Sequence, residues 1–154
     1  ADGIVLCANT LHQFVDRLES VIDKPLIHIA DATSVELNKS GFNKVGLLGT
    51  KQTMEMDFYS KRMEKYNINI IKPEIEQRNL IQEVITNELL KSIFKKESRD
   101  RFLQIMSDLV DQGAQAIILG CTEIPLLISQ DDTKIKVFDT LSIHAKAAVD
   151  FALD

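Results

Sequence analysis

Two hydrophobic patterns alternate along the chain. Short, nearly continuous apolar runs rich in β-branched residues occupy 3–7, 26–29, 45–48, 68–71, 116–119 and 136–138, and they read as strands. Between them, apolar residues recur every three or four positions and predict helices over 11–22, 34–40, 53–65, 74–95, 98–112, 122–128 and 141–153. The helical period is plain where Ile81, Val84, Ile85, Leu89 and Ile93 follow one another. Ser98 reads as the N-cap of the helix over 98–112, and Gly113 as its stop. Strands alternating with helices imply parallel sheets wrapped by helices, an α/β class. The strand runs are apolar throughout rather than alternating, as expected of parallel strands covered on both faces.

The two ends of the chain match each other. Residues 1–10 align without gaps to 114–123, pairing Cys7 with Gly120 and Ala8 with Cys121. Both segments are apolar strands that end in small residues, turn polar and run into a helix. Ligands of open α/β sheets sit beyond the carboxyl ends of strands, and helix starts there offer free N–H groups to anions. Two such strand ends facing each other would enclose a small anionic ligand. The competing reading is that any two parallel strands resemble each other this closely.

Composition narrows the partners. The chain has 154 residues, 27% of them charged, with a net charge of −5. An acidic balance argues against a nucleic-acid surface, and the cationic stretch 91–101 also carries Glu97 and Asp100, as a solvated helix face would. No apolar run approaches the ~18 residues of a membrane helix. Two cysteines make no disulfide framework, so a reducing, cytoplasmic compartment is expected. Three scattered histidines lack the spacing of metal ligands, and no P-loop is present.

Four motifs in order then point to a family. Cys7-Ala8-Asn9-Thr10-Leu11-His12 resembles the Cys-Asn-Thr-x-His motif of aspartate/glutamate racemases, and Gly120-Cys121-Thr122-Glu123 their Gly-Cys-Thr-Glu. Gly46-Leu47-Leu48-Gly49-Thr50 with Thr53-Met54 is similar to a third motif, and Asp139-Thr140 with Ile143-His144 to a fourth. His28 to Ala32 also fits this branch. The resemblance implies two pseudosymmetric α/β lobes with the active site in the cleft between them. Residues 1–30 would be the remainder of an N-terminal lobe, 31–125 the C-terminal lobe, and 126–154 a segment returning to the first. Family members begin with a strand and a glycine-rich turn upstream of the first motif, so the first lobe is expected to be incomplete in this chain. The resemblance further implies a homodimer acting on a small amino acid without a cofactor.

Removing an α-proton without an electron sink needs preorganised donors and a base aligned with the C–H bond. A thiolate suits that role, and a helix start eases its formation. Cys121, just before the helix expected at Thr122, is the leading catalytic candidate. Family logic sets a second thiol opposite, but its usual position here is Ala8, with Cys7 one residue earlier. Adjacent strand side chains point to opposite faces, so Cys7 is expected in the core, with a catalytic role open if the strand end twists. Thr10, His12 or a water are alternative second donors. Asn9, Thr10, Thr50, Thr53, Thr122 and Glu123 are candidate substrate-binding residues, and His12 and His144 candidate tuning residues. Arg78 could pair a substrate carboxylate or lie on the surface. Two other functions remain open at this point: a single-thiol decarboxylase, and an amino-acid-binding fragment without turnover.

Overall fold

A computed structural model describes residues 1–153. Six strands form two parallel sheets. β1 (Ile4–Val5) pairs with β2 (Leu26–Ile27) in a two-stranded sheet. β3 (Lys44–Gly49), β4 (Asn69–Ile71), β5 (Ala116–Gly120) and β6 (Val137–Asp139) form a four-stranded sheet in the order β4-β3-β5-β6. The helices are α1 (Val15–Glu19), α2 (Ile29–Lys39), α3 (Lys51–Glu55), α4 (Asp57–Glu64), α5 (Ile75–Asn87), α6 (Lys96–Asp111), α7 (Ile124–Leu127) and α8 (Thr140–Leu153). The α/β reading therefore holds. No helix among the described residues is long and apolar enough to cross a membrane.

The sheet order locates a crevice. From β3 the chain steps to β4 on one side, then returns to lay β5 on the other. Connections leaving the carboxyl ends of β3 and β5 thus diverge, and such a switch point is where open α/β sheets place ligands. β3 and β5 are buried along almost their whole length, every residue of β5 included, which explains their unbroken apolar sequence. Val45, Leu47, Leu48, Ile117, Ile118 and Leu119 pack there with Leu37, Met54, Phe102, Met106 and Leu109 in one core.

Element boundaries depart from the periodic pattern in several places. The strand expected over 3–7 ends at Val5, and the helix over 11–22 divides into a 3₁₀ turn (Asn9–Phe14) and α1. α2 starts at Ile29, upstream of the expected Ser34, because His28 Nδ1 accepts from Ala30 N at 3.1 Å and caps it. The helix over 53–65 breaks at Met56, whose backbone is extended. That over 74–95 stops at Asn87; a 3₁₀ turn follows, and Ser92 takes the left-handed conformation (φ 57°). Ser98 is not an N-cap. Lys95 holds that position, while the Ser98 hydroxyl donates to Glu88 Oε2 at 2.6 Å. Gly113 does stop α6, in the left-handed region (φ 98°). Of the cationic stretch 91–101, residues 91–97, Asp100 and Arg101 are exposed, Ser98 is buried and Arg99 half-buried, and α6 begins only at Lys96.

α8 leaves the end of β6 and packs over α2 and β2. Three histidines tie these elements to the 3₁₀ turn. His12 lies with its ring centroid 4.5 Å from His28 and 5.4 Å from His144. His12 Nδ1 lies 2.9 Å from the Ala8 carbonyl, and its Nε2 accepts from Ile29 N at 3.2 Å. A backbone acceptor at Nδ1 and a backbone donor at Nε2 fix the neutral tautomer. His144 Nε2 donates to the Ile27 carbonyl at 2.6 Å. Burial lowers His12 to about 4, against the pull of the Ala8 carbonyl. Burial, with His12 and Arg62 nearby, lowers His28 to about 3. Asp31 and Arg62 close a bidentate pair (2.7 and 2.6 Å) that clamps α2 to α4.

Two outcomes follow. Gly49 lies opposite Gly120, and a Cβ at Gly49 would come 2.9 Å from the Gly120 carbonyl oxygen, a backbone atom with little room to retreat. Gly49→Ala should cost about 1–3 kcal/mol, read as a lower urea midpoint; an unchanged midpoint would show that the strands part freely. The histidine values lie below the unfolded 6.5, so the unfolded chain binds more protons as pH falls. Their contribution is complete above about pH 6.5 and is lost from there towards 4 and 3. His28→Asn keeps a capping acceptor without the titrating ring. It should flatten the acid-side fall in melting temperature, and an equally steep fall in that variant would contradict the account.

Candidate active site

Three motifs meet where β3, β5 and β6 end. Thr50 follows β3 as the N-cap of α3, its hydroxyl accepting from Thr53 N at 3.3 Å. The Thr10 hydroxyl reaches across from the 3₁₀ turn to Thr50 Oγ1 (3.0 Å) and Thr53 Oγ1 (3.3 Å), and Thr50 and Thr53 lie 3.0 Å apart. Three hydroxyls close a triangle, each able to donate or accept. Asn9, 3% exposed, donates through Nδ2 to Thr140 Oγ1 at 3.0 Å. Thr140 in turn donates to the Leu119 carbonyl at 2.9 Å. The first motif is thereby bonded to the residues that follow β3 and β6, and through Thr140 to the end of β5.

Asn9 Oδ1 is buried and has no partner among the described residues. A buried acceptor left unpaired is costly, about 1–3 kcal/mol, and natural structures seldom tolerate one without a reason. Here it gives the site an acceptor ready for an N–H donor. Thr140 was not singled out by the sequence reading, although it stands in the fourth motif at the carboxyl end of a strand, where the ligand rule for α/β sheets applies.

Cys121 lies in the bend after β5 and is 5% exposed. Its thiol donates to Glu123 Oε2 at 3.0 Å. The eased thiolate expected from a helix at Thr122 does not materialise. α7 begins only at Ile124 and has four residues. Burial pushes the thiol up to about 12; the Glu123 backbone N–H pulls it down, and the Glu123 carboxylate raises it again. Thr122 and Glu123 are half-buried in the same bend, outside the threonine triangle.

Cys7 is exposed rather than buried in a core. The reason is local: exposure alternates through this stretch, and Cys7 falls with Val5 on the exposed side while Leu6 and Ala8 are half-buried. His12 and His144 are bound to backbone groups in the histidine junction. With both ring nitrogens of His12 engaged, it is poorly placed to serve as a proton donor. Arg78 is half-buried and pairs through Nη1 with Glu55 of α3 at 3.2 Å, while its buried Nε has no partner among the described residues.

Comparison with known proteins accords with this arrangement. Residues 1–148 match the family profile described as Asp/Glu/Hydantoin racemase. The whole chain superposes on the crystal structure of a proposed Asp/Glu racemase from Yersinia pestis (TM-score 0.94, 45% identity), covering 67% of it. It also superposes on an aspartate racemase homologue from Pyrococcus horikoshii (TM-score 0.91, 34% identity), covering 100% of this chain and 68% of that one. Among curated proteins, the broad specificity amino-acid racemase RacX of Bacillus subtilis is 23% identical over 148 residues, covering 96% of this chain and 63% of RacX. A glutamate racemase from Hydrogenobaculum is 26% identical over 132 residues, covering 85% of this chain and 48% of the relative. The chain thus spans about half to two thirds of the length of these curated relatives. With the match running through Asn9, Thr50, Cys121 and Thr140 alike, the chain belongs to the Asp/Glu/hydantoin racemase family.

Proposed function

We propose that the protein containing this chain is an amino-acid racemase, acting on aspartate, glutamate or a similar amino acid by thiol-mediated removal and return of the α-proton. The observation that carries this reading is the convergence of Asn9, Thr10, Thr50, Thr53 and Thr140 on the strand ends that Cys121 follows. The names of the relatives, glutamate, aspartate and broad-specificity racemases among them, support the reaction class.

In this reading the threonine hydroxyls bind the substrate carboxylate. The unpaired Asn9 Oδ1 accepts from its ammonium group. Such fixed dipoles oppose the charge that develops as the Cα–H bond breaks, and no cofactor is required for them to act. Cys121 stands on one face of the α-carbon. On the other face the second thiol is Cys7, in the bend just before Asn9. His12, another candidate for that role, is held by two backbone groups; Thr10 or a water are the remaining alternatives. A buried thiol opposite an exposed one makes the roles of the two thiols unequal, while kcat/KM stays equal in the two directions because enantiomers have equal free energy. A cytoplasmic setting would keep both thiols reduced, and a homodimer is the proposed assembly.

The test is loss of the α-proton signal from each enantiomer of aspartate and glutamate in deuterated water, followed by proton NMR. Exchange should occur with the intact protein and fall about 10²-fold or more in Cys121→Ser. Cys7→Ser should slow one enantiomer more than the other. Undiminished exchange in Cys121→Ser would overturn the assignment, and equal slowing of both enantiomers in Cys7→Ser would overturn the unequal roles.

A further inference from the structure

A separate pocket opens where α4 packs against the 3₁₀ turn and the start of α1. Its volume is about 210 Å³, and His28, Phe58, Lys61, Arg62 and Lys65 line it, with Asp16 the one carboxylate on the wall. Cations in the last turn of a helix have an ordinary cause, since they complement its dipole, and by themselves they mark no site. His28 has no such explanation. It is 4% exposed, and its Nδ1 accepts from Ala30 N, so the hydrogen of the neutral ring sits on Nε2. Burial, with His12 and Arg62 nearby, lowers its pKa to about 3, so the ring stays neutral. That Nε2–H finds no acceptor among the described residues, and donors on buried side chains are seldom left unpaired. The ring that carries it walls an open pocket rather than a sealed core.

The charged residues around that donor keep spare capacity. Arg62 spends Nε and Nη2 on Asp31, at 2.7 and 2.6 Å, which leaves the N–H groups of Nη1 without a partner among the described residues. Lys65, exposed, forms no ion pair among them. Lys61 is held only by Asp57 at 3.1 Å, an exposed pair of little worth that opens readily. Asp31 and Asp57 are not on the wall, so three cations face one carboxylate there. Water alone would satisfy the His28 N–H, but a positive wall favours a ligand with more than one negative charge. The small volume admits a compact group with little attached to it. We propose that this pocket binds a small dianionic oxyanion of the phosphate class, one oxygen accepting from His28 Nε2–H and the others from Arg62 Nη1 and Lys65 Nζ. The site is distinct from the one at the strand ends and does not depend on turnover there. His12 also lines the pocket and is bonded to the Ala8 carbonyl, next to Asn9. An occupant would therefore brace α4, the cap of α2 and the 3₁₀ turn against one another.

The test is a titration of the isotopically labelled protein with inorganic phosphate at constant ionic strength and about pH 8, where phosphate is dianionic. NMR follows the His28 ring, the Arg62 guanidinium and the Phe58 ring. These signals should shift saturably, with a dissociation constant of about 1 mM or tighter. His28→Asn keeps an acceptor to cap α2 but removes the Nε2 donor, and Lys65→Gln removes a charge at an exposed position. Each should weaken binding about tenfold. A ligand that binds only the folded state raises its melting temperature, so the rise on adding phosphate should shrink in both variants. Should His28→Asn fold poorly, Lys65→Gln carries the test alone. Shifts that grow linearly without saturating, or that match in wild type and Lys65→Gln, would mean general attraction of an ion to a charged surface and would overturn the site. Aspartate moving the same signals while phosphate leaves them still would overturn the phosphate assignment. Failure of α-proton exchange with the phosphate results intact would count against the racemase reading alone.

Discussion

The structure depends on the parallel pairing of β3 with β5, held to its last residue by two glycines. Gly49 and Gly120 face each other at the ends of the strands, and a Cβ on either would come within about 3 Å of a backbone oxygen of the other strand. That closeness lets two chain segments leave the sheet side by side, one into Thr50 and one into Cys121. The side chains that bear chemistry sit one residue beyond the glycines, where backbone geometry rather than side-chain packing fixes their separation. Binding groups set this way are already in place before a ligand arrives, which is what stabilising a short-lived carbanion demands.

Around that pair, the remaining motifs act as braces. The 3₁₀ turn carrying Asn9 and Thr10 is bonded forward to the residues after β3 and β6, and by way of Thr140 to β5, and backward, through His12, to the start of α2. His144 extends the same junction from α8 to β2. The histidines thus serve as neutral struts whose ring nitrogens satisfy backbone groups, and tuning of a cysteine is not their visible work. The bidentate Asp31–Arg62 pair secures the far side of α2.

Much of this was legible in the sequence, for physical reasons. Strands buried on both faces must be apolar throughout, so the β3 and β5 runs stood out, and strand ends in an α/β sheet are where polar motifs gather. The α/β class follows from the first of these facts, while the candidate threonines came with the motifs that carry the family resemblance. What escaped was local. Nothing in the apolar run 3–7 shows that β1 stops at Val5 or which of its sides is covered, and Cys7 falls on the exposed side with Val5. No proline or glycine marks the break after Asn87, where Ser92 adopts a left-handed backbone. Ser98 looked like a cap because its type suits one, yet its hydroxyl serves Glu88. Glu123 was read by its motif as a substrate ligand, and only the bend after β5 turns it onto the thiol. A side chain's partner across a bend is not periodic, so no pattern of spacing reveals it.

The central claim is that the switch point between β3 and β5 is a preorganised amino-acid site. Its most direct measurement is a titration of the isotopically labelled protein with each enantiomer of aspartate and glutamate, following the Thr10, Thr50 and Thr53 methyl signals and the Asn9 side-chain amide by NMR. Saturable shifts should centre on these four residues and on the Cys121 backbone amide, with the histidine junction little changed. Saturable binding that leaves those signals unmoved and perturbs another face of the protein would contradict the account.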